Sequence, residues 1–115
     1  MRHHNANRKL GRKAGPRRAL LKSLAYSLVL KGKIKTTEAK AKELRPFIEK
    51  LVTMAKKQTP ASKRLIEARV GKIAAKKIFG TIADNYKTRT GGYTRITKLI
   101  RRLSDGAAMA VIEFV

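Results

Sequence analysis

No fold open to this chain can neutralise its charge: 29 Lys or Arg face only seven Asp or Glu within 115 residues, leaving a net charge of +22. Any backbone arrangement keeps that surplus near the surface, where self-repulsion opposes compaction. A packed core has to outweigh it. With 43% hydrophobic residues the chain can build one, so a wholly disordered polycation is excluded. That core is modest, because a domain of this size buries roughly two-thirds of its unfolded surface. Cys is absent, which excludes disulfides and thiolate metal sites. The longest apolar runs, such as Leu24 to Leu30, are broken by Ser27 and fall short of the ~18 residues that a membrane span needs. The charged start leads into no apolar segment of the kind a secretory signal requires. The expectation is a small soluble polycation whose surplus charge calls for a polyanion.

The charge is unevenly placed: residues 1–37 carry 11 Lys or Arg and no carboxylate, the first being Glu38. Residues 1–15 hold Leu10 as their only large aliphatic side chain and show no periodicity, which predicts an extended basic arm. Residues 16–115 then form one globular domain. Pro16 suits a first helical position, and Leu20, Leu21, Leu24, Leu28 and Val29 recur at helical spacing up to a stop at Gly32. The run Lys33 to Thr37 is short and β-branched, with Thr37 placed to cap a second helix that opens on Glu38. That helix runs to about Lys57, and Pro46 is expected to kink or split it. Thr59-Pro60 starts a third helix closed by Gly71, and Lys72 to Asn85 makes a fourth, with Ala75, Ile78, Phe79 and Ile82 on one face. After Thr90-Gly91-Gly92 the period changes to two. Tyr93 to Arg102 reads as a strand, Asp105-Gly106 as a turn and Ala108 to Val115 as the partner strand. The predicted class is α+β in two layers: helix, short strand, three helices and a β-hairpin, with an extended basic N-terminal arm.

Catalysis has little to work with. The seven carboxylates are scattered, and Glu38 already has a helical partner in Lys42. The only histidines, His3 and His4, are adjacent in the arm with no further ligand nearby, so neither a metal site nor a general base is expected. Gly91-Gly92 is followed by a strand and by no Gly-Lys-Ser/Thr, which excludes a phosphate-cradling loop of the nucleotidase type. The chain reads as a non-enzyme without cofactor or small-molecule substrate. Basic pairs, by contrast, recur at Arg17-Arg18, Lys56-Lys57, Lys63-Arg64, Lys76-Lys77 and Arg101-Arg102. One such pair is an ordinary solvated face; all of them together are better explained by a nucleic acid backbone. With three Tyr, three Phe and no Trp, base stacking is not the main mode, which leaves phosphate contacts and shape. A DNA-architectural protein and a membrane-surface polycation are the rivals. Neither a dimer with an exposed apolar face nor a helix with an aromatic-edged apolar face is required by the pattern.

Particular residues narrow the choice. Met1-Arg2-His3, Ile34-Lys35-Thr36-Thr37 running into Lys40-Ala41-Lys42-Glu43-Leu44-Arg45, Gly91-Gly92-Tyr93-Thr94-Arg95-Ile96 and Ala110-Val111-Ile112-Glu113 together resemble the bacterial large-subunit ribosomal protein L-seventeen family. The resemblance runs the length of the chain; only His4-Asn5-Ala6-Asn7 is less basic than the family's start. It implies an α-β-α3-β2 fold and a cytoplasmic, ribosome-bound structural role. The implied partners are 23S ribosomal RNA and neighbouring large-subunit proteins, with no membrane.

On this reading Arg2, His3, Arg8, Lys9, Arg12 and Lys13 thread among RNA helices. Arg17, Arg18 and Lys22 on the first helix, Lys35 and Lys40 near the capping turn, and Arg89, Arg95, Arg101 and Arg102 near the hairpin hold phosphates. Tyr93 and Arg95, two apart in a strand, are expected to leave the same face and contact RNA together. The alternative is that Tyr93 caps the hydrophobic layer while Arg95 is merely solvated.

Overall fold

The computed structural model describes residues 14–115, so the arm expected over residues 1–15 lies outside the described residues except for its last two. Those two, Ala14 and Gly15, are helical: helix α1 is Ala14–Lys31. Pro16 therefore sits within the first turn rather than at its start. This is tolerated because first-turn N–H groups have no intrahelical acceptor. Ala25, Leu28 and Val29 are buried, whereas Leu20, Leu21 and Leu24 are only partly covered. Gly32, at φ 82°, then reverses the chain into strand β1, Lys33–Thr37.

Thr37 caps helix α2, Glu38–Ala55, its hydroxyl accepting a hydrogen bond from the Lys40 N–H at 3.3 Å. Pro46 does not split this helix. Its side is exposed, so water can serve the carbonyl that proline leaves unpaired, while Leu44, Ile48, Leu51, Val52 and Ala55 are fully buried and hold both halves to one core. Thr59 caps α3, Pro60–Val70, in the same way through Ser62 N–H at 3.1 Å. The fourth helix departs from the single α-helix read over residues 72–85. Helix α4, Lys72–Lys77, widens into a π-helical stretch, Ile78–Ile82, and closes as α5, Ala83–Asn85. Gly80 lies inside the widened stretch, where its weak helical preference lowers the cost of an inserted residue.

Gly71 joins α3 to α4 at φ 86°, ψ 168°, a backbone region that side-chain-bearing residues almost never adopt. A Cβ there would meet no atom within 4 Å, so only the backbone penalises a substitution. Gly71→Ala should destabilise the protein by about 1–3 kcal/mol in urea unfolding without altering its m-value.

Strand β2 is Thr94–Lys98 and strand β3 is Met109–Phe114; the sheet order is β1-β3-β2, with both pairings antiparallel. Register aligns Ile34, Ile112 and Ile96 across the sheet on the face that packs against the helices. The second strand is shorter than the predicted 93–102. Past Lys98 the side chains lose the helical layer: Ile100 is 89% exposed. Pairing persists only as Leu99 N–H to Met109 C=O and Arg102 N–H to Ala107 C=O, both 2.9 Å. Gly106, at φ 69°, completes the reversal at the expected Asp105-Gly106 position.

Candidate nucleic-acid interface

A sheet covered by helices on one face leaves the other to its own side chains. Here Lys33, Glu113 and Arg95 stand in one cross-strand row, and Lys35, Val111 and Thr97 in the next. Lys33, Lys35, Arg95 and Thr97 are all exposed. Glu113 on the central strand binds Arg95 through Nη2 at 2.6 Å and Nε at 3.1 Å, so Arg95 is neither free nor simply solvated. The Arg95 side chain is still 61% exposed. An exposed pair is worth at most about 1 kcal/mol, so a phosphate can compete for the guanidinium. Lys33 is not among the residues expected from the sequence, although the alternation Lys33-Ile34-Lys35 already puts both lysines on one face.

The other expected residues do not converge on this face. Exposed Arg18 and Lys22 of α1 line a shallow groove with Arg69 of α3, floored by Leu21 and Phe47. Arg69, remote in sequence, carries no signal of its own. Arg17 is half-buried on α1, as is Lys40 in the first turn of α2. Arg89 donates from Nε to the Gly92 carbonyl at 3.1 Å and thereby ties down the turn before β2. The cationic residues thus form several separate surfaces. Arg2, His3, Arg8, Lys9, Arg12 and Lys13 lie outside the described residues.

The shared face expected for Tyr93 and Arg95 is not formed. Tyr93 is 1% exposed, its ring 5.2 Å from that of Tyr86, while Arg95 points away from the core. Tyr93 precedes the regular strand, and Gly91 and Gly92, at φ 77° and 62°, turn the chain so that its ring enters the helical layer. The hydroxyl shares a hydrogen bond with Thr53 Oγ1 at 3.3 Å and accepts one from Lys56 Nζ at 3.1 Å. The Thr53 bond is the largest influence holding the phenol pKa below its ordinary value, against the opposing effect of burial. Tyr93 belongs to the core.

Arg101 and Arg102 are exposed and bonded within the turn. Arg101 Nη1 donates to the Gly106 carbonyl at 2.9 Å; Arg102 grips Asp105 through Nε at 2.9 Å and Nη2 at 2.8 Å. The Arg102 hydrogen bonds, with help from the Ala107 N–H, pull the Asp105 pKa from 3.8 to about 2. A depressed carboxyl pKa means the clamp is complete above the ordinary value and is lost as pH falls through about 2. Following Asp105 by carbon NMR should give a midpoint near 2, and Arg102→Ala should return it towards 3.8.

Among the described residues no group of three or more His, Cys, Asp or Glu could hold a metal ion, and no helix is long and apolar enough to cross a membrane. Fold and surface together define a class: small α+β proteins of four helices and a three-stranded antiparallel sheet, with a strongly cationic exterior. Within that class the chain belongs to the ribosomal protein L17 family, whose model matches residues 20–115. Large ribosomal subunit protein bL17 of Gemmatimonas aurantiaca is 53% identical over 116 positions, covering 100% of this chain and 98% of the relative. The bL17 proteins of Persephonella marina and Thermomicrobium roseum are 52% and 46% identical, with 95% and 99% of their own lengths covered. This is a structural family, and the chain is not an enzyme.

Proposed function

We propose that this chain is a structural constituent of the large ribosomal subunit, cytoplasmic and ribosome-bound, that binds and helps organise 23S ribosomal RNA. Family membership supports the ribosomal role. The observation that carries the mode of binding is the sheet face turned away from the described helices, where Lys33, Lys35 and Arg95 project around Glu113. Such a face holds phosphates without reading bases, so specificity rests on RNA shape. Arg18 and Lys22 extend contact along α1, and the basic segment before it, carrying Arg2, Arg8, Lys9, Arg12 and Lys13, acts as an arm leaving a single globular body. Neighbouring large-subunit proteins complete the set of partners.

Lys33→Ala combined with Lys35→Ala tests the sheet face. Removing one phosphate-binding lysine should reduce the slope of log affinity against log salt by about one, so the double variant should reduce it by about two. Stability should stay within about 0.5 kcal/mol, as expected for exposed positions. An unchanged salt slope in filter binding to 23S ribosomal RNA would remove this face from the interface.

A further inference from the structure

Arg18 and Lys22, one turn apart on α1, meet Arg69 of α3 around a groove floored by Leu21 and Phe47. All three cations are exposed, and no carboxylate lines the groove. None of the three has an acidic partner among the described residues. Folding has brought like charges together from two helices, a repulsion that a bound polyanion relieves. Two of the three are guanidiniums, whose planar forks match phosphate oxygens. This groove and the basic sheet face point different ways. Glu49 of α2 reaches β2, accepting from Thr94 Oγ1 at 2.8 Å, whereas Phe47, two residues earlier, floors the groove. Two residues turn a helix by about 200°, so the groove opens on the flank of α2 away from β2. At about 1.5 Å per residue, Lys22 and Arg18 also lie roughly 14 and 20 Å along α1 from Lys31, its end beside β1. A straight RNA duplex touches a convex body on one side, so it cannot lie on both surfaces.

We propose that this chain bridges two RNA segments: the sheet face holds one, and the groove between α1 and α3 holds the sugar-phosphate backbone of a second. The inference rests on the RNA-binding role proposed above and adds a second RNA site, with Arg69 as a residue that holds it. Because the two surfaces are separate, their contributions to binding add. Arg18→Ala combined with Arg69→Ala should lower the slope of log affinity against log salt by about two, on top of the loss from the Lys33 and Lys35 substitutions. An unchanged slope overturns the groove as a phosphate site.

The bridge itself is tested with tethered iron chelates. The chain has no Cys, so one introduced thiol carries the chelate at one known place. Leu65→Cys lies one turn before Arg69 on α3, and Thr97→Cys lies on the sheet face; both positions are exposed. Each labelled variant is reconstituted into large subunits, and hydroxyl-radical cuts in the RNA are mapped by primer extension. The two tethers should cut two RNA segments that are separate in secondary structure. Cuts confined to one shared segment overturn the bridge and leave the RNA-binding role intact. Cuts from position 97 alone do the same and hand the groove to an acidic segment of a neighbouring protein. Cuts from position 65 alone overturn the bridge and remove the sheet face from the interface. No RNA cut from either position overturns the bridge and the RNA-binding role together.

Discussion

Raising monovalent salt from about 50 to 200 mM should lower the affinity of this protein for ribosomal RNA by about 10³ to 10⁵. The size follows from counterion release: six to ten neutralised phosphates is about the number that gives such a loss. The chain has ample cations, since a net +22 remains after every carboxylate is set against one of them. Two of the carboxylates are already engaged by lysines of the fold. Glu38 engages Lys42 at 2.7 Å and Lys98 at 3.7 Å, and Asp84 engages Lys87 at 3.6 Å. Filter binding to a folded large-subunit RNA across a salt series checks this. A flat dependence would mean that phosphate contacts do not dominate. Unfolded RNA of equal length should compete poorly, because the phosphate contribution is blind to sequence and only shape can discriminate.

Tyr93→Ala should cost about 3–5 kcal/mol of stability, the range for removing a buried aromatic side chain. With roughly 4–8 °C lost per kcal/mol in a domain of this class, the melting temperature should fall by at least about 12 °C. The ring packs against Tyr86, which itself lies 6.3 Å from Phe114 and donates its hydroxyl to the Val115 carbonyl. One truncation therefore loosens the turn, the last helical residues and the end of the central strand together. Tyr93→Phe keeps the ring and loses the bonds to Thr53 and Lys56, so about 1 kcal/mol is expected. Both variants should bind RNA normally at temperatures where they are folded. Calorimetry paired with binding separates the effects; an affinity loss in folded Tyr93→Phe would return the hydroxyl to the interface.

The contrast between Tyr93 and Thr37 shows what kind of information a sequence carries. Thr37 caps through an N–H three residues away, and Glu38 pairs with Lys42 one turn on; both relations are local and legible directly. The same holds for Thr59-Pro60, for the stop at Gly71 and for the alternation that puts Lys33 and Lys35 on one face. Pro46 does not split α2, because its local penalty is outweighed by burial along both halves of the helix. Tyr93 and Arg95 mislead because strand periodicity, carried one residue beyond the strand, puts the ring on the wrong face.

Above all, the charge excess was settled by composition, since no folding event changes a count of ionised groups, and with it the need for a polyanion. Which cations remain available to meet that polyanion was decided only in three dimensions. Glu113 reaches Arg95 across 18 residues, Glu49 takes Thr94 across 45, and Arg69 joins Arg18 and Lys22 from another helix. Such partners are set by strand register and helix packing, which bring together groups whose separation along the chain encodes nothing about their distance in space.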